Sequence, residues 1–323
     1  MKLCTEPWST ITVANNGEVK PCLCPHWHRV GVIGNLLRQS LQEVMTSDVL
    51  KKFQQRILGG DYSYCENSCA YKDHVTDKDP DVIKKLNLPK KIVLAIDKNC
   101  NLACGSCRIK NVFSSKPDKN AEVILNRLYD SYREKEVEIQ FDGLGDLFAS
   151  KAYNNFLQKK FGSNVKFHII TNGNLLTKNE KLINKIKDNI LSIDVSLDAA
   201  NSKTYKEVRG GVFNLVKDGI KMCTSLGIKT NLSFVVQAKN YKELTKFWEI
   251  GVQLGCGQTM FHMIRRWHHM TDKYWIQNSV EHLPKSAREV LAEQLTFLKK
   301  TKLKIREDSI PVNMTGDLWN FKP

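Results

Sequence analysis

With 323 residues, 41% hydrophobic and 26% charged, the chain has the make-up of a soluble globular protein and suits a large α/β unit plus a small appendage. No apolar run approaches the roughly 18 to 20 residues needed to cross a bilayer. Nor does an apolar signal segment follow Met1-Lys2-Leu3-Cys4, so the expected location is the cytoplasm, with no membrane partner. The 49 basic and 34 acidic residues give +15, which favours anionic partners. The lysines are scattered over helix-like faces such as 178–187 and 299–304, without a recognition helix, RRM or C-x2-C…H-x3-H pattern. A solvated lysine-rich surface is therefore the preferred reading, ahead of nucleic-acid binding. Ten cysteines in a reducing compartment argue for metal binding rather than disulfides, and eight of them precede residue 108.

Residues 1–75 read as a small cysteine-bearing hairpin-helix module. Cys4 precedes Glu6-Pro7-Trp8 and the alternating run Thr10-Ile11-Thr12-Val13, which predicts a strand. Asn15-Asn16-Gly17 predicts a hairpin turn that returns through Glu18-Val19-Lys20 to Pro21-Cys22-Leu23-Cys24 and so brings Cys22 toward Cys4. The spacing of Leu41, Val44, Met45, Val49, Leu50, Phe53 and Ile57 predicts a helix over 40–58, stopped by Gly59-Gly60 and followed by Cys65-x3-Cys69. Hairpin and helix would deliver thiols from both ends of the module to one point, a staple for a domain too small to hold itself together by its core. Cys4, Cys22, Cys65 and Cys69 fill four ligand places, with Cys24 as the alternative to Cys22; His26 and His28 flank Cys24. Thiolates alone do not separate a four-cysteine zinc site from an iron–sulfur cluster.

Residues 76–90, with Asp77-Lys78-Asp79-Pro80 and Leu88-Pro89, read as a linker. From 91 to about 310 strand and helix patterns alternate, and 311–323 is left as a C-terminal tail. Strands are predicted at 92–97, 137–142, 166–171, 191–197, 229–237 and 258–263. Helices are predicted near 119–133, 150–160, 178–188, 212–226, 241–254 and 286–301. Such alternation calls for an α/β fold with a mostly parallel sheet and helices outside.

Directly after the first of these strands stands Cys100-x3-Cys104-x2-Cys107. Three thiols on one loop can converge on one metal centre; a structural zinc site or an electron-transfer cluster usually takes four protein ligands, so a triad leaves a position open. The alternative is a zinc knuckle completed by a distant cysteine. Each later strand end also carries unusual residues, where parallel α/β folds keep their working groups. The second gives Asp142-Gly143-Leu144-Gly145-Asp146, the third Thr171-Asn172-Gly173, the fourth Ser196-Leu197-Asp198 followed by Arg209-Gly210-Gly211, and the fifth Gln237 with Asn240 beyond. Gly143 and Gly145 let backbone approach a ligand and Asp146 can meet an ammonium group or simply cap a turn. Ser196 and Asp198 share one face and can accept hydroxyls.

This arrangement resembles the radical S-adenosylmethionine (radical SAM) family, whose C-x3-C-x2-C loop binds a [4Fe–4S] cluster with SAM on the open iron. The six βα units resemble that family's partial (β/α)6 TIM-like barrel. Cys4…Pro7-Trp8, Gly17-x4-Cys22, Gly34-Asn35 and Cys65-x3-Cys69 resemble the SPASM/twitch module that holds auxiliary [4Fe–4S] clusters, here placed before the barrel rather than after it. The resemblance implies two [4Fe–4S] clusters. It also implies SAM contacts from Gly143, Gly145 and Asp146 (with Asp146 standing for the glutamate of G-G-E-P), from Thr171 and Asn172, from Ser196 and Asp198, from Arg209 and from Gln237. The family's aromatic residue before the third cysteine is Ser106 here, so other groups must pack the adenine. Arg265-Arg266-Trp267-His268 follows the sixth strand, where the barrel mouth would meet an anionic or carboxylate-bearing substrate, unless it is a basic surface loop.

The implied chemistry is reductive cleavage of SAM to a 5′-deoxyadenosyl radical that takes hydrogen from an unactivated carbon, with flavodoxin or ferredoxin as electron donor. Oxidative modification of a peptide is the expected outcome. A redox-neutral epimerase or mutase, or a dehydrogenase, acting on a sugar or nucleotide is the alternative, and a basic zinc or iron–sulfur protein binding nucleic acid is the non-enzymatic one.

Overall fold

The computed structural model describes residues 3–22, 30–65, 69, 88–108, 110–303, 312–314, 318 and 321. Cys24, His26 and His28 lie outside the described residues, as does most of the 76–90 segment. The chain forms two compact units, one made of Met1–Asn99 and Ser114–His168, the other of Cys100–Phe113 and Ile169–Pro323.

The first unit opens with the short helix α1 (Glu6–Ser9), then β1 (Thr10–Ala14) and β2 (Glu18–Pro21), antiparallel in the register Ile11 to Pro21 and Val13 to Val19. Gly17 at φ 80 makes the turn between them, a left-handed backbone that glycine adopts without penalty. β3 (Gly34–Asn35) pairs with β2. The 40–58 segment is two helices, α2 (Leu41–Met45) and α3 (Asp48–Leu58). The division has a local cause, because the Ser47 hydroxyl accepts the Leu50 N–H and starts a second helix, as the Ser40–Glu43 capping box starts the first. β1 also lies parallel to β4 (Lys91–Ala95), Thr10 opposite Lys91 through Ala14 opposite Ala95, and β4 lies parallel to β5 (Val137–Phe141). Helices α4 (Lys119–Tyr132) and α5 (Lys151–Leu157) follow β4 and β5, capped by Asp118 and Ser150. Phe141, Tyr153, Phe156 and Phe167 interlock edge to face, with Phe141 and Tyr153 centroids 5.1 Å apart, and form the aromatic centre of this unit.

β6 (Val165–Thr171) runs from the first unit into the second. There α6 (Glu180–Ile186), β7 (Ile190–Ser196), α7 (Ser202–Val208), α8 (Phe213–Ser225), β8 (Thr230–Val236), α9 (Leu244–Gln253) and β9 (Thr259–Met263) follow in order. α10 (Asp272–Asn278), α11 (Lys285–Leu303) and β10 (Val312–Met314) complete the unit. β7, β8, β9 and β10 are all parallel. Their period-two alternation sorts the side chains. Phe234 and Phe261 meet Phe247 of α9, at 4.7 Å and 5.7 Å between centroids, whereas Asp194, Ser196, Asn231 and His262 fall on the opposite face. The fold is α/β with a parallel-strand sheet, as expected, and all six predicted strands and six predicted helices of 91–310 are present. α7, α10 and β10 are additional. No described helix is long and apolar enough to cross a membrane.

Candidate active site

The three-cysteine loop belongs to the second unit. Its base is closed by the Cys100 N–H, which donates to the Val112 carbonyl at 2.7 Å, and its tip is turned by Cys107 and Arg108 N–H groups that both donate to the Cys104 carbonyl. Cys100 and Cys104 are buried beside Leu102, and Cys107 is exposed. Burial pushes the Cys104 thiol above its ordinary range; Arg209 pulls it back, and Asp198, Cys100 and Cys107 add to the rise. Among the described residues no three His, Cys, Asp or Glu side chains are set to grip a single metal ion.

Two strand ends hold this loop. Thr171 accepts the Gly173 N–H on its hydroxyl, and the next residue, Asn172, sends its amide nitrogen to Asn101 Oδ1 at 2.9 Å and to Cys100 Sγ at 3.8 Å. Gly173 has φ 78, and a Cβ there would sit 2.7 Å and 2.8 Å from Val216 and Val195 methyls, so the turn accepts only glycine. Beyond β7, at the C-terminus of α7, the Arg209 carbonyl lies 3.5 Å from the Cys104 thiol, which donates to it. The Arg209 guanidinium donates to Asp198 Oδ2 at 3.1 Å and to the Ser196 carbonyl at 2.8 Å. Asp198 is fully buried with φ 53, an uncommon backbone for a non-glycine residue, and its other oxygen accepts the Val235 N–H at 2.7 Å. Burial pushes its carboxyl up, while Arg209 and the Val235 N–H pull it back. Asn240 then donates to the Asp198 carbonyl and accepts the Gln237 N–H. A continuous network thus runs from Cys104 through Arg209, Asp198 and Asn240 to Gln237. It ends in two buried nitrogens with no partner among the described residues, Arg209 Nε and Gln237 Nε2.

Gly143, Gly145 and Asp146 lie in the first unit. Gly145 is pressed against backbone: a Cβ would fall 2.3 Å from the Asn99 carbonyl and 2.7 Å from that of Asp97. The Asp146 N–H donates to the same Asn99 carbonyl at 2.7 Å, and its buried carboxylate accepts the Phe148 N–H, capping a short 3-10 turn at Leu147–Ala149. Asp97, unremarked in the sequence reading, anchors this corner by accepting from Ser150 and from Asn99. At the other end of the unit Cys4 donates its N–H to the Tyr62 hydroxyl, and its thiol is pushed up to about 11 by burial, against the pull of the Glu6 backbone N–H. Cys22 is buried, with φ 65.

Sequence reasoning missed Asn174, Tyr205 and Tyr274 in the second unit. Asn174 donates to the Asn172 side-chain oxygen and to the Tyr205 hydroxyl, and it accepts the Val212 N–H. Tyr274, on α10, lies over Gly105, where a Cβ would meet its hydroxyl at 2.7 Å. Only Asn174 left a trace in the sequence, as a second asparagine in Thr171-Asn172-Gly173-Asn174. Arg265, Arg266, Trp267 and His268 are all exposed, Trp267 by 53%, and Arg266 pairs with Asp272.

Comparison with known families matches residues 96–247 to the radical SAM superfamily and residues 4–70 to the SPASM iron–sulfur cluster-binding domain. The chain carries a radical SAM domain and a SPASM domain. Its SPASM module precedes the radical SAM domain, the order that the resemblance implied. Among curated relatives, the AdoMet-dependent heme synthase of Methanosarcina barkeri is 24% identical over 179 residues, 54% of this chain and 50% of that protein. A probable GTP 3′,8-cyclase of Methanococcus vannielii is 30% identical over 141 residues, 42% of this chain and 45% of that protein. The chain thus spans about half the length of these relatives. Among solved structures, Streptococcus suis SuiB bound to S-adenosylmethionine superimposes with a TM-score of 0.51 at 18% identity, over 87% of this chain and 64% of SuiB, a likeness of fold.

The superfamily's cofactors are a [4Fe–4S] cluster and SAM, and the SPASM domain adds iron–sulfur binding. The radical SAM residues fit these groups. Three thiols stand on a loop closed at its base, and the hydrogen-bond network that starts at Cys104 carries two buried nitrogens without acceptors among the described residues, a deficit that an anionic or carbonyl-bearing ligand would satisfy.

Proposed function

We propose that the chain reductively cleaves SAM to a 5′-deoxyadenosyl radical and uses it to take hydrogen from an unactivated carbon in the oxidative modification of a peptide. The supporting observation is the network from Cys104 to Gln237, with its unpartnered Arg209 Nε and Gln237 Nε2. Cys100, Cys104 and Cys107 would hold the radical SAM cluster, which supplies the electron for SAM cleavage when bound. Cys4, Cys65 and Cys69, with Cys22 or Cys24, would hold the auxiliary one.

The protein's own part is positioning. Arg209, fixed by Asp198 and the Ser196 carbonyl, keeps its Nε–H for a carboxylate, and Gln237 keeps its amide nitrogen for a polar ligand atom. Thr171 and Gly173 shape the turn beside the cysteine loop. Gly143, Gly145 and Asp146 are assigned to the SAM amino group, and Ser196 and Asp198 to its ribose, on the family resemblance. The exposed cations Arg265 and Arg266, with Trp267 and His268, suit an acidic or carboxylate-bearing substrate. Flavodoxin or ferredoxin is the proposed electron donor.

Anaerobically reconstituted protein should carry about eight irons per chain, two clusters of four, and form 5′-deoxyadenosine and methionine only when a reductant is present. Stoichiometric zinc without SAM cleavage would refute the reading. The named relatives, a heme synthase and a GTP cyclase, favour a second reading in which the substrate is a small metabolite such as a nucleotide. Deuterium from solvent in a product of unchanged oxidation state would decide for a redox-neutral reaction and against peptide oxidation.

A further inference from the structure

We propose that Asn172 sets the reduction potential of the cluster carried by Cys100, Cys104 and Cys107, by donating a hydrogen bond to the Cys100 sulfur. The inference rests on the cluster assignment above and gives Asn172 a task other than contact with SAM.

The orientation of the side chain is fixed by its neighbours. Asn172 Oδ1 accepts the backbone N–H of Asn174 at 3.0 Å, a donor whose identity is not in doubt, so the amide nitrogen must face the other way. That nitrogen has two protons, and the acceptors within its reach include Asn101 Oδ1 at 2.9 Å and Cys100 Sγ at 3.8 Å. Both amide protons are therefore already directed at the cysteine loop. Asn172 and Cys100 are buried, so little water competes for the sulfur. The residue behind is held as firmly. Asn174 accepts the Val212 N–H at 3.0 Å and donates to the Tyr205 hydroxyl at 2.6 Å, which leaves the turn little freedom to rotate the Asn172 amide away.

A ligating cysteine is a thiolate, and a hydrogen bond to a charged acceptor is about twice as strong as a neutral one. Reduction adds one negative charge to the cluster and its sulfurs. A donor aimed at Cys100 therefore stabilises the reduced form more than the oxidised form and makes the potential less negative. Asn172 acts through Cys100 and is a positioning residue in this sense.

Two variants separate this role from a structural one. Asn172→Asp keeps the oxygen that accepts the Asn174 N–H and replaces the donor with an acceptor; Asn172→Ala removes both. The measurement is an EPR-monitored redox titration of the anaerobic full chain, following the reduced-cluster signal that SAM addition perturbs, with the midpoint taken before SAM is added. Iron content should match the parent. Asn172→Ala should lower the reduction equilibrium constant about tenfold, which is about 59 mV more negative for a one-electron couple, and Asn172→Asp should lower it further. Unchanged midpoints in both variants overturn the inference while leaving the cluster assignment intact. Loss of iron from both also overturns it, since Asn172 would then only hold the loop's shape. A parent protein that takes up no cluster overturns the assignment and the inference together.

Discussion

Arg209→Met isolates the Asp198 carboxylate. The two groups meet at 3.1 Å, with side chains 12% and 0% exposed, so the pair is screened from water almost entirely. Removing one partner of such a pair costs about 3–5 kcal/mol, because the remaining charge has no compensation. The Ser196 carbonyl loses its 2.8 Å donor in the same step. Restoring neutrality should recover much of the loss. In Arg209→Met/Asp198→Asn the asparagine still accepts the Val235 N–H and tolerates φ 53, so the double variant should be more stable than Arg209→Met alone, with a coupling of about 1–3 kcal/mol. The sign of the pH dependence follows from the same burial. Without Arg209, desolvation raises the Asp198 carboxyl in the folded state above its unfolded value, the folded state binds the proton more tightly, and stability falls as pH rises. The Arg209→Met deficit should therefore be smaller at mildly acidic than at mildly alkaline pH. Urea unfolding of the anaerobic apo-proteins followed by far-ultraviolet circular dichroism measures all three quantities. Strict additivity of the two substitutions, with a deficit independent of pH, would refute the reasoning.

Three further perturbations test other parts of the structure. Gly145→Ala drives a methyl into the Asn99 and Asp97 carbonyls, neither of which can turn aside, and should cost at least about 3 kcal/mol by the same unfolding assay. A cost below 1 kcal/mol would mean that the corner is looser than described. Gly105→Ala meets only the far end of the Tyr274 side chain, so it should cost about 1 kcal/mol or less, and Tyr274→Leu should relieve it. An undiminished cost in the Gly105→Ala/Tyr274→Leu double variant would show that the tyrosine is not the obstacle. Burial chiefly lowers the His262 imidazole below its ordinary 6.5, against the pull of Asp198 and Asp194 and with the help of Arg265. The unfolded chain then protonates first, and stability is lost as pH falls below about 6.5. His262→Gln should flatten that loss, and an unchanged slope would place the acid sensitivity elsewhere.

The strand ends were legible in the sequence because a parallel α/β chain writes each βα unit locally. Val137–Phe141 and Val165–Thr171 fall within a residue of their predicted spans, and the turn residues follow directly. The divided helix at 40–58 was legible in principle, since Ser47-Asp48 is a good helix start, but continuous apolar spacing across it masked the break. Non-local partners were not legible. The hairpin pattern fixes β1 against β2, yet nothing in it names β4 as the parallel neighbour on the other edge. Tyr274 over Gly105 and Asn172 on Cys100 belong to the same kind, contacts between side chains far apart in the chain that depend on where helices and strand ends come to rest.

The strand-end residues also differ in how free they are to act, which their order in the sequence could not express. Asp198 has its two carboxylate oxygens committed to Arg209 and Val235 and its carbonyl committed to Asn240, three bonds that hold it in a left-handed conformation. That commitment is what aims Arg209, for the guanidinium is gripped at both terminal nitrogens and only Nε is left without a partner. Gln237 stands in the same relation to Asn240, its backbone held and its amide nitrogen unspent. Arg209 Nε and Gln237 Nε2 are thus donors left unpaired at these strand ends, and the Asp198 carboxylate between them fixes the side chain of the first.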